Sequence, residues 1–298
     1  MIYPPALHPG DTVAVIAPSS PPEVVLAWAG LGFLASRYRL RYDRGLFARA
    51  GYLAGSDERR REELEGALAD PSVRAIIAAR GGYGASRFAT AIDWSALAAR
   101  PRWIVGFSDV TVLHVEASRV GVASIHASHL TALGRGDARG RDSFVRALER
   151  PGEARAYAGL SVIREGSAEG RLFGGNLTLL HSIAAAGRLE VPEGATLLLE
   201  DVTERPYRID RMLTSLMQGG HLGRAGAVVL GDFTQCDPGP DRVTVQEVLR
   251  DQLTRLCVPV VSGVPVGHGL RNDPMIIGEL ARVTASASGG TFRLAGGR

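Results

Sequence analysis

The sequence predicts an α/β protein with a parallel sheet in its N-terminal half and a smaller, β-rich α/β domain in its C-terminal half. Three observations carry this. Short continuous apolar runs, "TVAVIAP" (12–18), "VRAIIAAR" (73–80) and "RWIVGFS" (102–108), alternate with helical patterns. Parallel strands are buried on both faces and so read as unbroken apolar runs, and strand–helix alternation implies βαβ units. Beyond residue 160 the β-like runs crowd together, from "LSVIREGSAEGRLFGG" through "ATLLLEDV", "GAVVLGDF" and "VPVVSGVPVG" to "ARVTASASGGTFRLA".

The elements follow in order. Residues 22–38 carry apolar side chains three and four apart, which is a helical period. Residues 56–71 begin with Ser56 as a good N-cap, place Asp57 and Glu58 in the first turn and meet Pro71 beyond the end. "ASRFATAI" (85–92) reads as helical, as does "DVTVLHVEASR" (109–119). Residues 134–158 are polar and rich in Gly and Arg, with one short helix, and read as a bridge. "NLTLLHSIAAAG" (176–187) is a helix following Gly174 and Gly175. "RIDRMLTSLMQGG" (208–220) is another, ending in glycines that suit a C′ position. The closing segment, with "SGG" at its turn, reads as an antiparallel hairpin. The expected organisation is an N-terminal domain over 1–145, a linker over 146–160 and a C-terminal domain over 161–298.

Composition narrows the function. With 298 residues, 45% of them hydrophobic and 22% charged, the chain has the make-up of a globular enzyme. No window approaches 18 uncharged apolar residues, so no membrane span is expected. The first twenty residues lack a basic region followed by an apolar one, so no signal peptide is expected. Two cysteines, Cys236 and Cys257, cannot build a disulfide framework and suit a reducing compartment. All 34 basic residues are arginine. With no lysine there is no Schiff base, no pyridoxal phosphate linkage, no Walker-type lysine and no Ser–Lys dyad. The arginines are mixed with acids and the net charge is only +3, so a nucleic-acid partner is not expected.

Four stretches carry candidate chemistry. In "WIVGFSDVTVLH", a strand candidate ends at Gly106 and Ser108 follows at once. A sharp strand-to-helix turn would expose its hydroxyl and leave the next backbone N–H, that of Asp109, facing an oxyanion. The bland alternative is that Ser108 caps the following helix; the second glycine of G-x-S-x-G is replaced by Val110. In "AARGGYGASR" (78–87), glycines let backbone N–H groups approach a ligand and Arg80 can hold a carboxylate, unless the stretch is a plain βα turn. In "LLLEDVTERPYRIDR", Glu200 ends an apolar run, as a site acid or as one salt-bridging acid among several. In "GVPVGHGLRNDPMIIG", His268 sits between glycines in a loop, as a site base or as an exposed loop histidine. His126 and His129, three apart, lack the further ligands a metal site needs. Together, Ser108, Glu200 and His268 supply a nucleophile, an orienting acid and a base.

At this point the residues match a family. "GDTVAVIAPSSP", "GYLAGSDERRREEL", "ARGGYGASR", "GFSDVT", "GGNLTLL", "LLLEDVTERPYRIDRML" and "VPVGHGLRNDPMIIG" occur in the order found in the LD-carboxypeptidases. That serine peptidase family also includes the microcin C immunity peptidases. The resemblance implies a flavodoxin-like, or class I glutamine amidotransferase-like, first domain. It places the nucleophile on Ser108, the acid on Glu200 and the base on His268, with the backbone N–H groups of Asp109 and Gly82 as the oxyanion hole. Gly81, Tyr83 and Arg80 are further candidate substrate contacts, with Arg80 pairing with a substrate carboxylate, a reading of the residues and not of the family. The implied reaction is cleavage of the L,D-peptide bond before a terminal D-alanine in cell-wall tetrapeptides, in the cytoplasm, without metal or other cofactor, by a homodimer. Hydrolysis of a peptidyl or aminoacyl nucleotide is the alternative within the family. Outside it stand a non-catalytic binder of cell-wall peptides and a nucleotide-binding module built on "RGGYG". "SIHASHL" stands where many members have a His-Gly-Pro segment.

Overall fold

A computed structural model describes residues 1–296. The chain divides into two compact units. The first comprises Met1–Pro151 with Asp273–Ile277, and the second Gly152–Asn272 with Gly278 onward.

In the first unit, strands β1 (Thr12–Ile16), β2 (Arg39–Arg41), β3 (Val73–Ala78), β4 (Trp103–Gly106) and β5 (Ser124–His126) alternate with helices. These are α1 (Val24–Ala35), α2 (Asp57–Ala69), α3 (Ser95–Ala99), α4 (Thr111–Arg119), α5 (Leu130–Arg135) and α6 (Ala138–Glu149). The five strands pair in parallel in the order 2-1-3-4-5, that of a flavodoxin-like sheet. A sixth strand, Met275–Ile277, is contributed by the late chain and runs antiparallel to β5. The apolar runs that predicted β3 and β4 are buried on both faces, and β4 is buried at all four residues. Helix α2 forms as its caps dictate, the Ser56 hydroxyl accepting the Arg59 N–H at 3.2 Å.

Residues 85–92 differ from expectation. They form two one-turn 3-10 segments, Ala85–Arg87 and Ala89–Ala91. Gly84, at φ 137°, turns the chain just before them, and the Ala85 N–H donates to the Asp109 carboxylate. The stretch 134–158 holds all of α6 and the start of the next strand.

The second unit contains β6 (Arg155–Arg164), β7 (Gly166–Asn176), α7 (Leu177–Ala185), β8 (Ala195–Val202), α8 (Pro206–Gln218), β9 (Ala225–Thr234), α9 (Val245–Leu253) and β10 (Val260–Ser262). The Met275–Ile277 strand is numbered β11, and β12 (Leu280–Ser286) and β13 (Gly289–Leu294) complete the unit. Seven strands close a barrel in the order β10-β6-β13-β12-β7-β8-β9. The run β7-β8-β9-β10 is parallel and crosses over through α7, α8 and α9, whereas β6, β12 and β13 pair antiparallel. β12 and β13 form the predicted hairpin, closing at Ser286 and Gly289. Closure of the barrel is not written in any local pattern: it leaves no sheet edge to cover, and it requires strands far apart in sequence to meet.

Close approach of β7 to β8 explains Gly174. A Cβ there would lie 2.2 Å from the Leu198 carbonyl oxygen, and its φ is 123°. Gly174→Ala is expected to destabilise the protein by about 2 kcal/mol or more. Gly32, in α1 with nothing within 4 Å of a would-be Cβ, is the contrasting site. There alanine is expected to stabilise by about 0.5–1 kcal/mol. Urea unfolding midpoints of the two variants against the parent chain check both signs.

Candidate active site

One candidate group lies in the first unit, where β4 ends. Ser108 has φ 64°, a left-handed conformation that serine rarely adopts. It caps no helix. The short 3-10 turn Ser108–Val110 and α4 begin after Phe107 and Val110 respectively, and neither start has a side-chain capping bond. Of the two local readings of this serine, the helix cap is therefore excluded. The turn is cleared by glycines. A Cβ on Gly106 would lie 2.8 Å from Val110 Cγ2, and one on Gly81 would lie 2.8 Å from Ser108 Cβ and 3.0 Å from its Oγ. Thus the backbone at Gly81 lies directly against the hydroxyl.

Two bonds pin the strand end below Ser108. The Gly106 carbonyl accepts the Ala127 N–H at 3.0 Å and a ring N–H of His114 at 2.9 Å. A carbonyl only accepts, so His114 carries its proton on Nε2, and its Nδ1 accepts the Ser124 hydroxyl at 2.9 Å. His114 is fully buried, and burial pushes its pKa down to about 4. Nothing in the sequence marked His114. Its partners lie eight and ten residues away and become visible only when α4 packs on the sheet.

The loops after β1 and β3 flank the turn. These strands adjoin where the strand order reverses, the place where open α/β sheets bind ligands. The Ser20 N–H donates to the Gly81 carbonyl at 3.2 Å, and the Tyr83 N–H donates to Ser20 Oγ at 3.3 Å. Gly82 has φ 102°, and a Cβ there would lie 2.4 Å from Ser20 Oγ. Arg80 is exposed and donates from Nη1 to the Pro21 carbonyl at 3.0 Å. Tyr83 is exposed, with its ring 5.9 Å from that of Tyr52. His129 caps α5, its Nδ1 accepting the Ala132 N–H at 3.2 Å, and it stacks on Phe107 with ring centroids 4.8 Å apart. His126 is fully buried, 6.0 Å from Phe107 and 6.2 Å from His114 between ring centroids.

A separate candidate group lies in the second unit and joins Glu200 to His268. Glu200, in β8, is completely buried, and its Oε2 accepts the His268 Nδ1–H at 2.7 Å. That bond fixes the tautomer and leaves Nε2 as the acceptor. Burial raises the Glu200 pKa, while the imidazole beside it pulls the other way. The pairing of β8 with β9 shifts between Leu199 and Asp201, whose partners are Leu230 and Phe233. Gly231 and Asp232 bulge out opposite Glu200 and receive the histidine loop. The Asp232 N–H donates to the Val266 carbonyl at 2.8 Å. The glycines around His268 then have distinct reasons. A Cβ on Gly267, at φ 119°, would lie 2.8 Å from Glu200 Oε2, and one on Gly269 would lie 2.1 Å from Asp232 Oδ2. Asn272 accepts the Gly267 N–H on its side-chain oxygen at 3.1 Å. Asn176, in register with Glu200 on β7, donates to Asp201 Oδ1 at 3.1 Å. Asp201 also accepts the Thr178 N–H and hydroxyl at 2.9 and 2.8 Å. Asp232, Asn272 and Asn176 escaped the sequence reading; "GGN" and "GHGLRN" hint at the two asparagines, as polar residues near glycines, and "LGD" hints at Asp232.

No helix among the described residues is long and apolar enough to cross a membrane. Among those residues, no group of three or more His, Cys, Asp and Glu side chains is placed to hold a metal ion.

Residues 13–127 match the LD-carboxypeptidase N-terminal domain and residues 169–283 the LD-carboxypeptidase C-terminal domain. With the fold described above, these matches define the chain as a peptidase. It belongs to the LD-carboxypeptidase family. It is 36% identical over 245 residues to the murein tetrapeptide carboxypeptidase of Pseudomonas aeruginosa, covering 78% of this chain and 80% of that one. The crystal structure of the muramoyltetrapeptide carboxypeptidase from Oxalobacter formigenes superposes with a TM-score of 0.85 at 29% identity, covering 95% of this chain and 98% of that one. An active-site variant of the microcin C7 self-immunity protein, with a serine, an asparagine and a lysine replaced by alanine, shares the fold. Its TM-score is 0.85 at 20% identity, with 96% of each chain covered.

His114 gives the first unit a pH dependence. Its folded pKa is about 4, below the ordinary histidine value, so the unfolded chain takes up a proton first as pH falls. The stability it contributes is complete above about pH 6.5 and declines as pH falls toward about 4. In denaturant titrations from pH 7.5 to 4.5, the stability gap between the parent chain and His114→Leu is expected to narrow steadily. A constant gap would mean that His114 is not held neutral.

Proposed function

We propose that this peptidase is a serine-type LD-carboxypeptidase that removes the terminal D-alanine from murein tetrapeptides in the cytoplasm, as a step in cell-wall recycling, and works as a homodimer. The observation that carries the reading is the His268 imidazole held on buried Glu200 with its Nε2 left to accept a proton. In this reading His268 Nε2 takes the Ser108 proton as Oγ attacks the carbonyl carbon of the L,D-bond. Glu200 keeps the imidazole in the required tautomer and stabilises it once charged. The backbone N–H groups of Asp109 and Gly82 donate to the tetrahedral oxyanion; loss of one such donor typically costs about 3 kcal/mol of barrier. Collapse breaks the C–N bond, and the amine of D-alanine leaves with the proton from His268. Water, activated by the same nitrogen, then cleaves the acyl-serine ester and frees the tripeptide. Arg80, exposed beside the Gly81–Tyr83 loop, pairs with a substrate carboxylate.

The names of the Pseudomonas and Oxalobacter relatives support this substrate class. The immunity-type alternative, hydrolysis of a peptidyl or aminoacyl nucleotide, draws on the shared fold. A lysine belongs to the active site varied in that immunity protein, and this chain contains none. That contrast favours the murein reading.

Incubation with a muramyl tetrapeptide is expected to release D-alanine, detected by mass spectrometry, with little turnover of an aminoacyl nucleotide offered in parallel. Ser108→Ala is expected to lower kcat at least about 10³-fold, and Glu200→Gln about 10²–10⁴-fold. Full activity of Ser108→Ala would remove Ser108 from the mechanism. Faster turnover of the nucleotide conjugate would install the alternative.

A further inference from the structure

The Asp109 side chain is a buried acid that the mechanism above leaves idle. Asp109 is fully buried immediately after Ser108, and its Oδ2 accepts two bonds from distant parts of the chain. The Ser19 hydroxyl, from the loop after β1, donates at 2.6 Å, and the Ala85 N–H, from the loop after β3, donates at 2.8 Å. Both donors meet the same oxygen, so the two loops are tied to each other as well as to the Ser108 turn.

A buried cation grips the same two loops one residue away. Arg60, in α2, is completely buried, and its Nη1 donates to the Pro18 carbonyl at 2.8 Å and to the Gly84 carbonyl at 2.7 Å. Its Nη2 pairs with Asp57, and its guanidinium lies 5.3 Å over the Phe88 ring. Each loop is therefore held at adjacent residues, by Asp109 through an N–H or O–H and by Arg60 through a carbonyl. The sequence makes room for the grip at Gly84, where a Cβ would lie 2.4 Å from Arg60 Nη1. Burial pushes the Asp109 pKa up and the Arg60 pKa down, their mutual attraction opposes both shifts, and among the described residues Asp109 Oδ1 and Arg60 Nε have no hydrogen-bond partner.

We infer that the Asp109 carboxylate, seconded by Arg60, is a positioning group that sets the Gly81–Gly82 backbone against Ser108. Resting on the mechanism proposed above, Asp109 has two separate duties: its own N–H donates to the oxyanion, and its side chain fixes the loop that supplies the second donor. The loop between Arg80 and Ala85 carries three glycines, Gly81, Gly82 and Gly84, and would otherwise be free to swing. Arg60 and Asp109 convert it into a rigid donor, because an oxyanion hole accelerates the reaction only when its dipoles are already in place.

Asp109→Ala keeps the backbone N–H and removes the tie. It is expected to lower kcat on the muramyl tetrapeptide about 10²-fold while KM stays within about threefold, the pattern of an interaction made only in the transition state. Affinity for a peptidyl boronic acid, which forms a tetrahedral adduct on Ser108, is expected to fall in parallel, while binding of the tripeptide product holds. Ser19→Ala, a milder change, is expected to show the same split at about threefold to tenfold, and serves if Asp109→Ala does not fold. Asp109→Asn, which retains an acceptor, is expected to recover part of the loss. A kcat within about threefold of the parent chain for Asp109→Ala, or for Ser19→Ala where that variant alone folds, overturns the inference. So does an equal loss of tripeptide binding. Ser108→Ala separates the two levels: full activity there removes the underlying mechanism, whereas an inactive Ser108→Ala beside an unaffected Asp109→Ala removes only the positioning role.

Discussion

The structure turns on a serine held in a backbone conformation it would not choose. Ser108 at φ 64° costs on the order of 1–3 kcal/mol, an appreciable part of the roughly 5–15 kcal/mol by which a typical domain is stable. It persists because everything beneath it is fixed. β4 is buried along its length, between β3 and β5, and its last carbonyl is bonded by both His114 and Ala127. The strand cannot relax without dragging a close-packed sheet with it. Steric clearance from Gly106 and Gly81 completes the arrangement, since either Cβ would occupy space that the turn needs.

The second unit solves a related problem with different parts. A carboxylate buried as deeply as Glu200 is stable only when hydrogen-bonded, and β8 is an apolar run with nothing local to offer it. The barrel supplies the partner. A bulge in β9 opens a berth beside Glu200, and the loop bearing His268 settles into it, with Gly267 against Glu200 and Gly269 against Asp232. In both units a glycine lies beside a candidate side chain for a steric reason: Ser108 beside Gly81 and Glu200 beside Gly267 already occupy the volume that a Cβ would take.

This recurrence explains how much of the site could be read in advance. The G-x-S and G-H-G patterns are local traces of long-range crowding, so Ser108 and His268 stood out even though their neighbours were unknown. Glu200 ended an apolar run, but its local pattern left it one acid among several, and the family resemblance singled it out. The residues that were missed (His114, Arg60, Ser19, Asp232 and Asn272) are ordinary polar residues in ordinary places. Their importance lies in partners such as Asp109, 90 residues from Ser19, and such contacts leave no mark in a local window.

What the sequence determined by itself is whatever local periodicity and capping control. The apolar runs dictated the parallel strands, Ser56 with Asp57 and Glu58 dictated the start of α2, and the "SGG" turn dictated the final hairpin. What only the tertiary structure decided is where distant segments meet: the closure of the β-barrel, the return of Met275–Ile277 to the first sheet, and the conversion of residues 85–92 from an expected helix into two short turns. The reason is the same in each case. A strand or cap is fixed by neighbours within a few residues. An edge pairing, a barrel seam or a backbone N–H claimed by a buried carboxylate 24 residues away is fixed by which surfaces the whole chain can bury together.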